Sequence, residues 1–383
     1  MAKRIFIVVT ATVVALLAVR VVAQGAVGLT PTEELGKLLF FDEALSANGN
    51  QSCASCHAPE VGWVGPDPVI NAAGAVYEGS IPGAFGDRKP PTAAYGGNSP
   101  ILYYDAKGGV WVGGMFWDGR ATGMMLGDPL AEQALGPFLN PKEQALPDAA
   151  AVVSIVQASA YAGLFEQVWG ADIWADTTEA YNAVGFSIAA YERSAEVMPY
   201  SSKYDAYLAR QVKLTKEENK GRTLFFGKAK CGKCHNGADF TDFTYDNLGV
   251  PKNPLNPVYM ENPEFIDPGL GGFLMGAGYD EAVYVAEWGK HKVPTLRNVD
   301  LRFAAGDVKA FGHNGYFKSL EEIVHFYNTR DVEGAGWMGE PWPEPEYAAT
   351  VNTAELGDLK LKPDEEAALV AFMRTLSDGY VVP

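Results

Sequence analysis

Two pentapeptides carry the chemistry of this chain: Cys53-Ala54-Ser55-Cys56-His57 and Cys231-Gly232-Lys233-Cys234-His235. The C-x-x-C-H spacing is that of covalent c-type haem attachment. One short turn presents two sulfurs to a porphyrin edge, where they add to the vinyl groups as thioethers. The adjoining imidazole then meets the iron as an axial ligand. A pooled zinc site of Cys53, Cys56, Cys231 and Cys234 is the competing use of these thiols, but it gives no purpose to a histidine directly after both motifs. All 4 cysteines lie in the two motifs. No structural disulfide is therefore available, and stability must come from packing and from two covalently bound haem c groups.

The elements that position the motifs repeat as well. Gly36-Lys37-Leu38-Leu39-Phe40-Phe41 precedes the first motif, and Gly221-Arg222-Thr223-Leu224-Phe225-Phe226 precedes the second. An internal repeat predicts two related units. Helices are expected over 33–41 and 218–226, through 148–195, and over 319–328, where Ser319 and Glu322 form a capping box. A closing amphipathic helix over 363–376 turns Leu369, Val370, Met373 and Leu376 to one face. Residues 58–116 and 236–318, rich in Gly and Pro, read as irregular loops. The fold class is mainly α: two cytochrome c-like helical haem domains with long irregular loops and very little sheet. They span residues 24–198 and 199–383, divided at Met198-Pro199-Tyr200-Ser201-Ser202.

The bulk numbers agree with that reading. A chain of 383 residues with 48% hydrophobic content can fill two cores. The net charge of −17 argues against nucleic-acid binding. An acidic surface suits a basic electron-donor protein, and equally suits plain solubility. Residues 1–23 read as a secretory signal. Lys3 and Arg4 precede an apolar stretch from Ile5 to Val19, and Val21-Val22-Ala23 offers a cut before Gln24. Arg20, close to that cut, leaves an uncleaved anchor as the alternative. Both readings put the body in the periplasm, outside the cytoplasmic membrane.

Four further stretches carry a resemblance. Phe116-Trp117-Asp118-Gly119-Arg120-Ala121, Glu132-Gln133-Ala134-Leu135-Gly136-Pro137, Val293-Pro294-Thr295-Leu296-Arg297-Asn298-Val299 and His313-Asn314-Gly315 resemble the bacterial dihaem cytochrome c peroxidase / MauG family. The resemblance runs through nearly the whole chain beyond the signal, in family order. It implies two haems facing each other across a domain interface, with His57 the protein ligand of a peroxidatic haem. In ordinary members a histidine between the two motifs caps that haem. None of the 5 histidines lies there, which implies a haem open to hydrogen peroxide. Met115, Met124, Met125 and Tyr77 remain as rival caps. The resemblance makes Glu143 the acid–base group, with Gln133 and Pro137 beside it. Composition alone would make Glu143 a solvated loop acid after Asn140-Pro141.

For the second haem the resemblance implies Tyr327 as the ligand beyond His235, where ordinary members carry methionine. Leu320, Ile323, Val324 and Tyr327 share one helix face. His325 points elsewhere, and His291, His313 and Met275 are the rival ligands. A hard, anionic phenolate lowers the reduction potential and suits sharing of oxidising equivalents between the haems. Trp117 is implied as the relay between them. Lys89 stands where members carry an asparagine ligand to an inter-haem calcium ion. An ammonium cannot ligate calcium, so either Lys89 replaces the cation or Asn98 or Asp87 serves. Ala229 stands where some members have a surface tryptophan, leaving Trp288, Trp337 and Trp342 as alternative exits. The expected function is hydrogen peroxide reduction. The oxidising equivalents pass to a cytochrome c or cupredoxin donor, or to a protein whose Trp or Tyr is oxidised; a homodimer is compatible with this. A non-enzymatic dihaem electron carrier is the alternative.

Overall fold

The first helix is fixed at its start by Thr30. The Thr30 hydroxyl accepts from the Glu33 amide while the Glu33 carboxylate takes the Thr30 amide, a reciprocal cap reinforced by Pro31 in the first turn. The helix runs Pro31–Phe40 and buries Leu35, Leu39 and Phe40. The second copy repeats the device: Thr215 and Glu218 cap the helix Lys216–Phe225. These caps start both helices two residues before the apolar pattern does. The computed structural model describes residues 28–383, so the expected signal at 1–23 lies outside the described residues.

The repeated glycines explain the repeat. A Cβ on Gly36 would lie 1.9 Å from the Ser187 carbonyl oxygen, and one on Gly221 would lie 1.8 Å from that of Ala368. Each glycine thus lets its helix cross a later one at backbone contact. Pro31–Phe40 crosses Thr177–Glu192, and Lys216–Phe225 crosses Pro363–Arg374. Two separate cores surround these crossings. One takes buried side chains from Leu35 to Met198, including Phe138, Phe165 and Tyr191. The other runs from Tyr204 to Leu376, including Phe225, Phe326 and Phe372.

Several expectations change in detail. The helical stretch 148–195 breaks into Ala149–Ala158, Ala162–Trp169 and Thr177–Glu192, interrupted at Ser159 and Gly170. Ser319 caps Leu320–Thr329 through the Glu322 amide. The box is incomplete, because the Glu322 carboxylate accepts from the Lys318 amide at 2.6 Å instead. The loop regions hold short helices and two two-stranded ladders, Tyr103–Asp105 with Val110–Val112 and Tyr245–Asp246 with His291–Lys292; a third ladder, Gly336–Trp337 with Glu340–Pro341, follows the helix Leu320–Thr329. Among the described residues no single helix is long and apolar enough to cross a membrane.

Two lysines of the later half bind carbonyls of both halves at once. Lys309 Nζ donates to the carbonyls of Val61 at 2.9 Å, Asn298 at 2.8 Å and Leu301 at 3.0 Å. Lys318 Nζ reaches Asn71, Ala73 and Gly315. Arg88 Nε and Nη2 bind both Asp267 oxygens at 2.6 and 2.7 Å, while its Nη1 reaches Asp118 at 2.6 Å.

Candidate haem centres and active site

Both motifs coil into a single turn, Cys53–Cys56 as α-helix and Cys231–Lys233 as a tighter turn. The turn brings the histidine back over the first cysteine: His57 N donates to Cys53 O at 3.0 Å, and His235 N to Cys231 O at 2.9 Å. Each imidazole is then oriented by a backbone carbonyl. His57 Nδ1 lies 3.2 Å from Trp63 O, and His235 Nδ1 lies 3.0 Å from Phe240 O. Such a bond fixes the tautomer and leaves Nε2 free for a metal. Burial keeps both rings neutral and pushes His57 down to about 4.

The accepting carbonyls are themselves part of the repeat. Trp63 and Phe240 both adopt left-handed backbone, at φ 62° and 52°, a costly state for an aromatic residue. Each is held by a Pro-Thr pair. Thr92 Oγ1 donates to Gly62 O at 3.0 Å, and Thr295 Oγ1 to Asp239 O, the residues just before Trp63 and Phe240. Sequence reasoning missed this second layer, although Pro91-Thr92 and Pro294-Thr295 were its visible trace.

The donor sets fit two haems. A largely apolar cavity is lined by Cys231, Cys234, His235, Ile323, Val324 and Tyr327, and it continues to Trp117. Around the first motif, buried Gln51 Oε1, both Gln144 side-chain polar atoms and Glu192 Oε2 lack partners. Buried polar groups without partners call for a polar neighbour, such as the edge substituents of a porphyrin.

The residues expected near the first haem converge. Gln133 and Pro137 lie four apart on the helix Pro129–Leu139, hence on one face. Gln144 N donates to Pro137 O at 3.1 Å, folding the Glu143 turn back onto that helix end. Burial raises the Glu143 carboxyl above its usual range, although Arg120 and Asn140 oppose the shift. Glu143 is close enough to Cys53 and Cys56 to raise both thiols electrostatically. Of the rival caps, Met124 and Met125 are 60% and 84% exposed. Met115 packs against Leu130 and Ala131. The Tyr77 hydroxyl accepts from Asp67 N at 2.8 Å.

On the second side, Tyr327 shares the cavity with His235, and burial pushes its phenol up. His291 and His313 also line that cavity, whereas Met275 and His325 lie outside it. His291 and His313 stack at 3.6 Å between ring centres, next to Asp267 and Glu346. Met275 is exposed, and His325 Nδ1 lies 3.0 Å from Glu366. Trp117 is buried between the halves: its Nε1 donates to Lys89 O at 2.8 Å, and its carbonyl accepts from Lys292 N at 2.8 Å. Lys89 Nζ binds Pro90 O at 2.9 Å, and burial pulls its pKa down to about 8. Asn98 turns its amide to Asp239, and Asp87 offers its backbone oxygen to Asn256. Ala229 is buried in the second core.

Two helical cores, each holding a C-x-x-C-H turn with an oriented imidazole, define a dihaem c-type cytochrome. Residues 30–213 match the family described as di-haem cytochrome c peroxidase. The methylamine utilization protein MauG of Paracoccus denitrificans is 37% identical over 91% of this chain and 89% of its own. Cytochrome-c peroxidase IdrP2 of Pseudomonas sp. (strain SCT) is 30% identical over 91% and 82%. The crystal structure of the diheme peroxidase BthA from Burkholderia thailandensis superposes with a TM-score of 0.79 at 31% identity, covering 92% of this chain and 87% of that one. The chain belongs to the dihaem cytochrome c peroxidase family: it is an oxidoreductase of peroxide that carries two haem c groups.

Proposed function

We propose that hydrogen peroxide is reduced at the His57 centre, that the His235–Tyr327 centre stores oxidising equivalents in the MauG manner, and that a protein partner supplies the electrons. The observation carrying this reading is the asymmetry of the two imidazoles. Tyr327 lines the His235 cavity, whereas the methionines and the tyrosine nearest the first motif are exposed, packed away or hydrogen-bonded elsewhere. Bound haem would supply the redox chemistry of peroxide reduction and the capacity to hold oxidising equivalents.

The protein residues supply the rest. His57 and His235 would hold the two haem irons, and the Trp63 and Phe240 carbonyls fix the orientation of both imidazoles. Glu143, as carboxylate, takes a proton from one peroxide oxygen and returns it to the departing oxygen. Gln133 orients the peroxide by hydrogen bonding, and Pro137, whose carbonyl accepts from Gln144 N, holds the Glu143 turn against the helix. The balance is one peroxide, two electrons and two protons giving two waters. Trp117 lies on the electron route between the centres.

We assign residues 24–198 and 199–383 to the two haem domains and place the body in the periplasm. Glu143→Gln should lower the peroxide reaction rate by about 100-fold, read by stopped-flow absorbance; an unchanged rate overturns the assignment. Tyr327→Met should raise the reduction potential of the second haem in spectroelectrochemical titration. An unmoved potential removes Tyr327 from the ligand set.

A further inference from the structure

Ala229 is 3% exposed, so the position that would carry an indole just ahead of the second motif does not reach solvent. Another aromatic route does. On the helix Leu320–Thr329, Phe326 lies 6.2 Å from Tyr327 and 5.1 Å from Trp342, ring centre to ring centre. His325 lies 6.1 Å from Trp342 and 5.7 Å from Trp337. Trp342 is tied to the same helix, its Nε1 donating to Thr329 Oγ1 at 3.0 Å. Thr329 Oγ1 in turn donates to His325 O at 2.7 Å. Trp337 sits on the strand Gly336–Trp337, beside a turn whose Met338 is 90% exposed. The chain of rings therefore begins at Tyr327 and ends at the surface.

We propose that Trp342 and Trp337 form the electron entry of the second domain, and that the surface around them docks a protein with a basic face. This rests on the peroxidase reading above. The charge around the hairpin identifies the partner's chemistry. Residues 331–358 contain Asp331, Glu333, Glu340, Glu344, Glu346, Glu355 and Asp358, with no lysine or arginine. Five of these acids, Asp331, Glu333, Glu340, Glu344 and Asp358, are exposed. The neighbouring Arg330 is paired with Asp331. Lys360 likewise pairs with Asp358 at 2.7 Å, so Glu333, Glu340 and Glu344 carry the excess negative charge, and such an excess beside an oxidisable side chain steers a partner of opposite charge. Each peroxide draws two electrons along this route. Every indole that gives up an electron is refilled from the partner, so the tryptophans are unchanged at the end of a turnover.

Without a donor the indoles stay oxidised. Two-electron oxidation of an indole with uptake of one water oxygen and release of two protons leaves an oxygenated tryptophan, detectable by peptide mass spectrometry. The haem-loaded protein treated with peroxide alone should carry this mark at Trp337 and Trp342. Trp342→Phe should lower the mark at Trp337 by about tenfold or more, a loss of roughly 1.4 kcal/mol or more in competition with other sinks. An equal mark at Trp337 in Trp342→Phe overturns the route, as does oxidation collected at Trp288 instead. Peroxide consumption in the same samples separates the two claims. Protein that leaves peroxide intact contradicts the peroxidase reading. Protein that consumes it without marking either tryptophan contradicts the route alone. For docking, Glu340→Gln/Glu344→Gln should slow oxidation of reduced, lysine-rimmed mitochondrial cytochrome c by about tenfold at low salt and flatten its salt dependence. An unchanged rate and slope overturn the docking face.

Discussion

Glu143 shows how one carboxyl acquires its use from its surroundings. It lies beyond Asn140-Pro141, a stretch that reads as solvated loop, yet burial raises its pKa above the usual carboxylate range. In the proposed role the ionised form accepts the peroxide proton, so the rate should fall as pH drops through that raised value. The acid limb of kcat/KM is therefore expected above the ordinary glutamate pKa of about 4.3, and Glu143→Gln should lose that limb. A limb retained in Glu143→Gln belongs to another group. Much of the residue scale was legible in the sequence. C-x-x-C-H fixes both haem anchors by spacing alone, and the helical period puts Tyr327 on the face shared with Leu320, Ile323 and Val324. The orienting carbonyls of Trp63 and Phe240 were not legible. They are backbone groups, presented by left-handed conformations that no side-chain pattern announces.

At the scale of elements, the repeated Gly-x-x-Leu-Phe-Phe phrase proves to be a helix crossing. Gly36→Ala and Gly221→Ala each force a methyl carbon into a backbone carbonyl. Each should destabilise its domain by about 3 kcal/mol, measured as a lowered midpoint of thermal or denaturant unfolding. Midpoints equal to the parent would mean that the helices can part at no cost. The sequence marked both glycines by repetition, but the carbonyls they approach, at Ser187 and Ala368, are too distant in the chain for any local pattern to reveal. The short ladders in the loops escaped notice for a different reason. Strands of two or three residues have no room to show a period of two. The complete capping boxes at Thr30 and Thr215 were present as Thr-x-x-Glu and explain where both helices begin. The box expected at Ser319 failed because Glu322 had a nearer amide in Lys318.

The whole molecule depends on the seam between the halves, where Trp117 lies. Arg88 bridges Asp118 and Asp267 there, and Asp267, beside that guanidinium, is held well below the usual carboxylate range. A depressed folded pKa contributes stability that is present above the unfolded value and lost as pH falls through the folded one. Asp267→Asn should therefore cost about 3 kcal/mol near neutrality, with the difference from the parent vanishing only well below pH ~3.9. Calorimetry across that range reads the trend, and a difference independent of pH contradicts it. Little of this seam was visible in the sequence, because Lys309 and Lys318 satisfy their ammonium groups on backbone carbonyls rather than on acids. The seam joins two centres that are halves of one repeat and that, in the proposed reading, differ in one ligand. The most direct measurement of that difference is low-temperature electron paramagnetic resonance of the resting, fully ferric protein. One high-spin and one low-spin haem signal of equal weight is the predicted result, with Tyr327→Met altering the low-spin signal alone. Two low-spin signals would contradict the open His57 centre and, with it, the division of labour between the two haems.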